Sequence, residues 1–201
     1  MTLLRRSSDF CQTFQSVRYA MKMRILFALV VSGVMVSASM AQETVRVGGK
    51  PMYPNKNIVE NAVNSADHTT LVATVKAAGL VDTLQGEGPF TVFAPVNAAF
   101  KDLPAGTVET LLKPENKAKL TAVLTYHVVP GRLTYSALER RIKAGDGKAM
   151  LKTVQGGMLT FSKNGDNIIV EDAKRGVANL TITNVMQSNG VIHVIDRVLM
   201  P

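Results

Sequence analysis

The sequence predicts an α+β domain, on three observations. Apolar residues recur at helical spacing through residues 58–143, one β-branched and aromatic run at residues 90–94 interrupts them, and from Ala149 onward the period switches to two. Helices with a single early strand, followed by a β meander, argue against alternating βαβ units. The chain has 201 residues, of which 46% are hydrophobic and 19% charged, too apolar for a disordered chain and too varied for a collagen or coiled coil. The single cysteine, Cys11, excludes an internal disulfide framework and any cysteine-rich metal site.

The first 41 residues read as an address. Residues 21–41, MKMRILFALVVSGVMVSASMA, place Lys22 and Arg24 before an apolar run at 25–36 and a small-residue segment, with Ser39 and Ala41 at the −3 and −1 positions of a peptidase site. The apolar run is shorter than the roughly 20 residues of a spanning helix. Cleavage between Ala41 and Gln42 is expected, with an uncleaved N-terminal anchor as the alternative. Residues 1–20 precede second starts at Met21 or Met23 and read as an over-extended start. Five cations and one anion fall in residues 1–41, half of the net charge of +8. No cysteine follows the apolar run to take a lipid.

Residues 42–56 carry Gly48, Gly49, Pro51 and Pro54 without a sustained period and read as an N-terminal extension, so the domain proper is placed at 57–201. Ile58, Val59, Ala62 and Val63 repeat at helical spacing. Asp67 stands where it would cap a second helix with Leu71, Val72, Val75 and Ala78 on one face, ended by Gly79. Residues 90–94, FTVFA, read as a buried strand stopped by Pro95. Two short helices broken by Pro104 and Gly106 follow, then a stronger one at 115–127 with Leu120, Val123, Leu124 and His127 in one stripe. Residues 135–143 form a further short helix. Strands at 150–155 and 158–163 flank Gly156-Gly157, and Asn164-Gly165 marks a second hairpin before a strand at 167–171. Leu180, Ile182, Val191, His193 and Ile195 continue the alternation to the end.

No nucleophile elbow, phosphate-binding loop, dinucleotide turn, H-E-x-x-H helix or complete calcium loop occurs in the sequence. Neither catalytic residues nor a cofactor or metal site are therefore expected. His68, His127 and His193 lie in different elements, and on a strand the offset of three puts His193 and Asp196 on opposite faces. His127 falls on an apolar stripe beside Tyr126, where a buried imidazole must find a hydrogen-bond partner. It reads as a core histidine locking the helix to a neighbouring segment, with ligand contact as the alternative. Arg140, Arg141, Lys143, Lys148 and Lys152 form a basic run, read either as a solvated face or as a contact for an anionic polymer or lipid head group. No aromatic residues interleave with these cations, so nucleic acid is not an expected partner.

Three segments together carry a resemblance. Residues 91–100 (TVFAPVNAAF), 124–131 (LTYHVVPG) and 188–201 (SNGVIHVIDRVLMP) resemble the first conserved box, the Tyr-His motif and the second conserved box of the fasciclin (FAS1) domain family, in order and spacing. The chain looks most like its small secreted bacterial single-domain members. The resemblance implies one α+β domain, a β-sandwich wedge with helices packed against it. It also implies a secreted, periplasmic or extracellular, non-enzymatic protein acting in cell adhesion or surface and matrix interaction. The expected partner is a surface protein, glycan or matrix polymer, with membrane contact only through an uncleaved signal or weakly at the surface, and the expected state is monomer or weak homodimer. In animal members the Tyr-His region is associated with integrin binding, which maps onto Tyr126 and His127. With Arg140, Arg141 and Lys143 these are the candidate interaction residues. Val96 stands where the first box often carries Thr or Ser, leaving Asn97 as the expected helix cap. The alternative function is a periplasmic carrier of a small apolar ligand or lipid, held between helices and sheet.

Overall fold

The computed structural model describes residues 44–104 and 106–201. Cys11, the address segment 1–41 and the Ala41-Gln42 junction lie outside them. All the described residues fall within one compact unit, Glu43–Pro201. The segment expected as an extension carries a small hairpin, β1 (Arg46–Val47) with β2 (Lys50–Pro51), and buries Val47 and Met52 in the same apolar cluster as the helices that follow. Two isolated apolar residues around a Gly-Gly turn leave no period to read, so this anchoring has no local signature.

Helix α1 (Ile58–Asn64) opens on a capping box: the Asn57 carboxamide accepts from the Glu60 amide, and the Glu60 carboxylate accepts from the Asn57 amide, both at 2.9 Å. Its inward face differs from the expected one. Val63 is exposed, and Asn61 is buried instead, bonded to both backbone groups of Tyr53 and to the Gln187 side chain. Helix α2 (Thr69–Ala78) buries Leu71, Thr74, Val75 and Ala78, leaving Val72 half-buried, and ends at Gly79 with φ 73°, a left-handed conformation suited to glycine. The expected Asp67 cap is absent. Asp67 lies in a 3-10 turn (Ala66–His68), and the first turn of α2 is capped from a distance by Asn97, whose Oδ1 accepts from the Thr70 amide (3.0 Å) while its Nδ2 donates to the Ala66 carbonyl (2.9 Å). Asn97 therefore does not cap its own helix, α4 (Asn97–Lys101), which begins after Val96 without a side-chain cap.

A short α3 (Val81–Gln85) precedes β3 (Phe90–Pro95); α4 and α5 (Thr107–Leu112) are separate, and α6 (Lys117–Tyr126) and α7 (Tyr135–Ala144) flank β4 (Val128–Pro130). The meander runs β5 (Lys148–Lys152), β6 (Met158–Asn164), β7 (Asn167–Glu171), β8 (Val177–Gln187) and β9 (Gly190–Ile195). The link from β5 to β6 is five residues long, not a two-residue Gly-Gly hairpin. Thr153 closes it through its amide and hydroxyl on the Gly157 carbonyl, and the Val154 amide donates to the Val128 carbonyl (2.8 Å). Gly157 is required there by contact, since a Cβ would lie 2.7 Å from the Tyr126 ring.

The other seven strands form one mixed sheet in the order β4-β3-β9-β8-β7-β6-β5, with β3 and β9 its parallel pair. Strand β8 joins the halves, pairing its start with β7 and its remainder with β9 through two register shifts. Phe93 of β3 and Phe161 of β6 have ring centroids 5.1 Å apart, although their strands stand four places apart in the sheet. At about 4.8 Å per strand a flat sheet would separate them by about 19 Å. The sheet is therefore folded over on itself, the expected wedge, with α7 packed inside through Leu138 and Ile142. A second apolar cluster lies on the other face of β3 and β9, where Val92, Ala94, Ile192 and Val194 meet α1, α2 and α6.

Candidate functional site

The Tyr-His motif sits where α6 runs into β4. Tyr126 and His127 are buried, so neither presents a surface to a partner. The Tyr126 hydroxyl donates to the Met158 carbonyl (2.8 Å) and accepts from the Ala173 amide (3.0 Å). Desolvation raises its pKa. His127 bonds through both ring nitrogens: the Leu199 amide donates to Nε2 (3.0 Å), so Nδ1 carries the proton and donates to the Val123 carbonyl (2.8 Å). Burial pushes its pKa down to about 4, keeping it neutral at ordinary pH. Asp172 completes the node, with Oδ1 accepting from the Lys174 and Gly176 amides and Oδ2 from the Met200 amide. The motif ties α6, the start of β6, the β7-β8 turn and the C-terminal segment together. Asp172 escaped the sequence reading; its only trace there is an acid four residues before a turn glycine.

The other two histidines are also interior. His193 stacks on Phe93 (5.7 Å) and donates through Nε2 to the Leu133 carbonyl (2.7 Å), with no bond to Asp196, whose carboxylate accepts from the amide and side chain of Asn179. His68 Nδ1 pairs with the Ser65 hydroxyl (2.8 Å). Burial lowers the pKa of both. Among the described residues no cluster of His, Cys, Asp or Glu could hold a metal.

The basic run does not form one patch. Arg140, Arg141 and Lys143 lie on the exposed side of α7, and Lys143 shares the Glu139 carboxylate with Lys163 (3.4 and 3.0 Å). Lys148 and Lys152 lie on β5, whose intervening Ala149 and Leu151 face α7, so the lysines point from the opposite side of the sheet. On that outer side the register aligns Lys152 with Met158, and Met150 with Thr160, Glu171 and Val177 in successive strands. Met150 is 64% exposed, and Met158 and Val177 are exposed as well. The strand alternation was legible in the sequence; this joint apolar and cationic surface requires the register. On the helical side, an apolar hollow opens between α1, α2, α3 and strands β3 and β9.

A folded-over seven-stranded sheet with a helical layer, pinned by a buried Tyr-His pair, defines the class. A family model for the fasciclin domain matches residues 66–201, and the chain belongs to that family. It is 50% identical over 146 residues to protein sll1483 of Synechocystis sp., covering 72% of this chain and 73% of that one. It is 41% identical to the cell surface glycolipoprotein MPB83 of Mycobacterium bovis, over 61% of this chain and 48% of that one. The FAS1 domain pair of the insect cell adhesion molecule fasciclin I has the same fold, with a TM-score of 0.51 at 22% identity, over 65% of this chain and 45% of that one. No helix among the described residues is long and apolar enough to cross a membrane.

Proposed function

We propose that the protein is a secreted, non-enzymatic module that attaches to an extracellular surface component, a protein, glycan or matrix polymer. Fasciclin-family membership across nearly all of the described chain carries this reading. It is supported by a relative named as a cell surface protein and by the likeness to a domain pair from a cell adhesion molecule.

The contact surface is the outer face of the β5–β8 half-sheet. Exposed Met150, Met158 and Val177 supply apolar area there, with Lys148 and Lys152 beside them as rim charges. Thr160 and Glu171 lie between Met150 and Val177, so the face is mixed, offering apolar contacts set among polar ones. Arg140, Arg141 and Lys143 face elsewhere and contribute only long-range charge. One face per copy gives monovalent attachment, so firm adhesion requires an anchor or self-association.

The test is retention of the purified protein on surface material from its own host. A Met150→Ser/Met158→Ser protein with unchanged melting temperature is expected to lose retention, while Arg140→Ser/Arg141→Ser keeps it. Equal retention of both variants refutes this surface.

A further inference from the structure

The apolar hollow on the helical side is walled by Val47, Ile58, Leu71, Val75, Val92 and Ile192 among others, and none of its lining residues is acidic. It has a free volume of about 80 Å³ at its heart, within an envelope of about 1040 Å³ counted out to its open mouth. A fully enclosed apolar cavity that takes up a benzene ring measures about 150 Å³, so the heart holds only the end of an alkyl chain and the rest of a ligand must lie in the open mouth. Most polar groups in the lining are occupied. The Ser65 hydroxyl and His68 Nδ1 bond each other, the Thr125 hydroxyl donates to the Thr121 carbonyl, and both nitrogens of His127 are engaged. His68 Nε2 has no partner but is inaccessible. What remains is at the rim: the exposed Lys76 and Thr83, neither with a side-chain partner among the described residues. An apolar interior with one unpaired cation at its edge has the polarity of an amphiphile's binding site, reversed in charge.

We propose that this hollow binds an anionic single-chain amphiphile, a fatty acid, with its tail among the apolar walls and its carboxylate on the Lys76 ammonium. The head is anionic because the only charge bordering the hollow is positive. The chain is single because the free volume at the heart admits one tail end, with the remaining carbons lying along the open mouth. Such a site lies against β3 and β9, whereas the proposed contact surface is carried by β5, β6 and the start of β8, so the site does not depend on it.

The full chain, stripped of lipid, is titrated calorimetrically with octanoate, decanoate and dodecanoate, and with dodecyltrimethylammonium, which has the same tail and the opposite charge. Expected is saturable one-to-one binding that tightens about fourfold per added methylene until the hollow is filled. The dodecanoate affinity is expected to fall about tenfold in Lys76→Glu, as one rim attraction becomes a repulsion. Ala62→Phe, which fills the hollow, and Thr83→Trp, which obstructs its exposed rim, are both expected to abolish binding with the fold retained by melting temperature. Thr83 is exposed, so its variant tests the site even if the Ala62 variant fails to fold. Absence of saturable binding, equal affinity for the two head groups, or undiminished binding by a folded Thr83→Trp protein overturns the proposal.

Discussion

At Tyr126 and His127 four hydrogen bonds leave the side chains, and each ends on backbone of another part of the chain or of the preceding helical turn. Removing one partner strands a buried group, which costs more than the bond itself gives. Tyr126→Phe keeps the ring and orphans the Ala173 amide and Met158 carbonyl, so a loss of about 1–3 kcal/mol is expected by urea denaturation. His127→Ala strands the Leu199 amide and opens a void beside Leu124, and a loss of about 3–4 kcal/mol is expected. A His127→Ala protein that keeps its melting temperature while losing surface retention would show that the imidazole serves binding rather than architecture. The sequence stripe placed His127 inside correctly. It could not name the Val123 and Leu199 backbone groups, because the second lies 72 residues away.

Elements here begin and end by contacts that local patterns only partly encode. The glycine stop of α2 and the Asn57-Glu60 box of α1 are local devices. The N-terminus of α2 is different: the cap-like Asp67 is bypassed, and Asn97, delivered by the end of β3, reaches the Thr70 amide. Helix-cap reading assumes a residue serves the helix it precedes, and tertiary placement overrode that assumption. Asn97→Ala is expected to destabilise the protein by about 1–2 kcal/mol, with faster amide hydrogen exchange at residues 69–71, whereas Asp67→Ala is expected to stay within about 0.5 kcal/mol of the parent. Reversal of that order would return the cap to Asp67. The same limit explains the divided basic run, which is continuous along the chain but is distributed by the α7-β5 turn onto two sides of the sheet.

For the whole molecule, the fold class was legible because the longer elements carry the switch from helical to alternating period, while closure of the sheet was expected from the family resemblance and not from the pattern, since it depends on how β8 shifts register between β7 and β9. All three histidines are sealed in the interior, His193 inside the folded sheet against Phe93 and His68 under the helical layer. Each has a pKa below the ordinary 6.5, chiefly from desolvation, and His127 is pushed to about 4. A histidine neutral in the fold and basic in the unfolded chain makes the unfolded state bind more protons as acidity rises. The stability these groups contribute is therefore complete above pH 6.5 and is lost progressively as pH falls below it, for His127 down to about 4. For His127 alone the loss on going from pH 7.5 to pH 5 is about 2 kcal/mol. Urea titrations at the two pH values should show at least that decrease in the parent. His127→Gln, which cannot titrate, should be less stable at pH 7.5 yet lose about 2 kcal/mol less on acidification. An unchanged pH dependence in the variant would mean that the imidazole is not held neutral by burial, and the sealed Tyr-His node would have to be open to water.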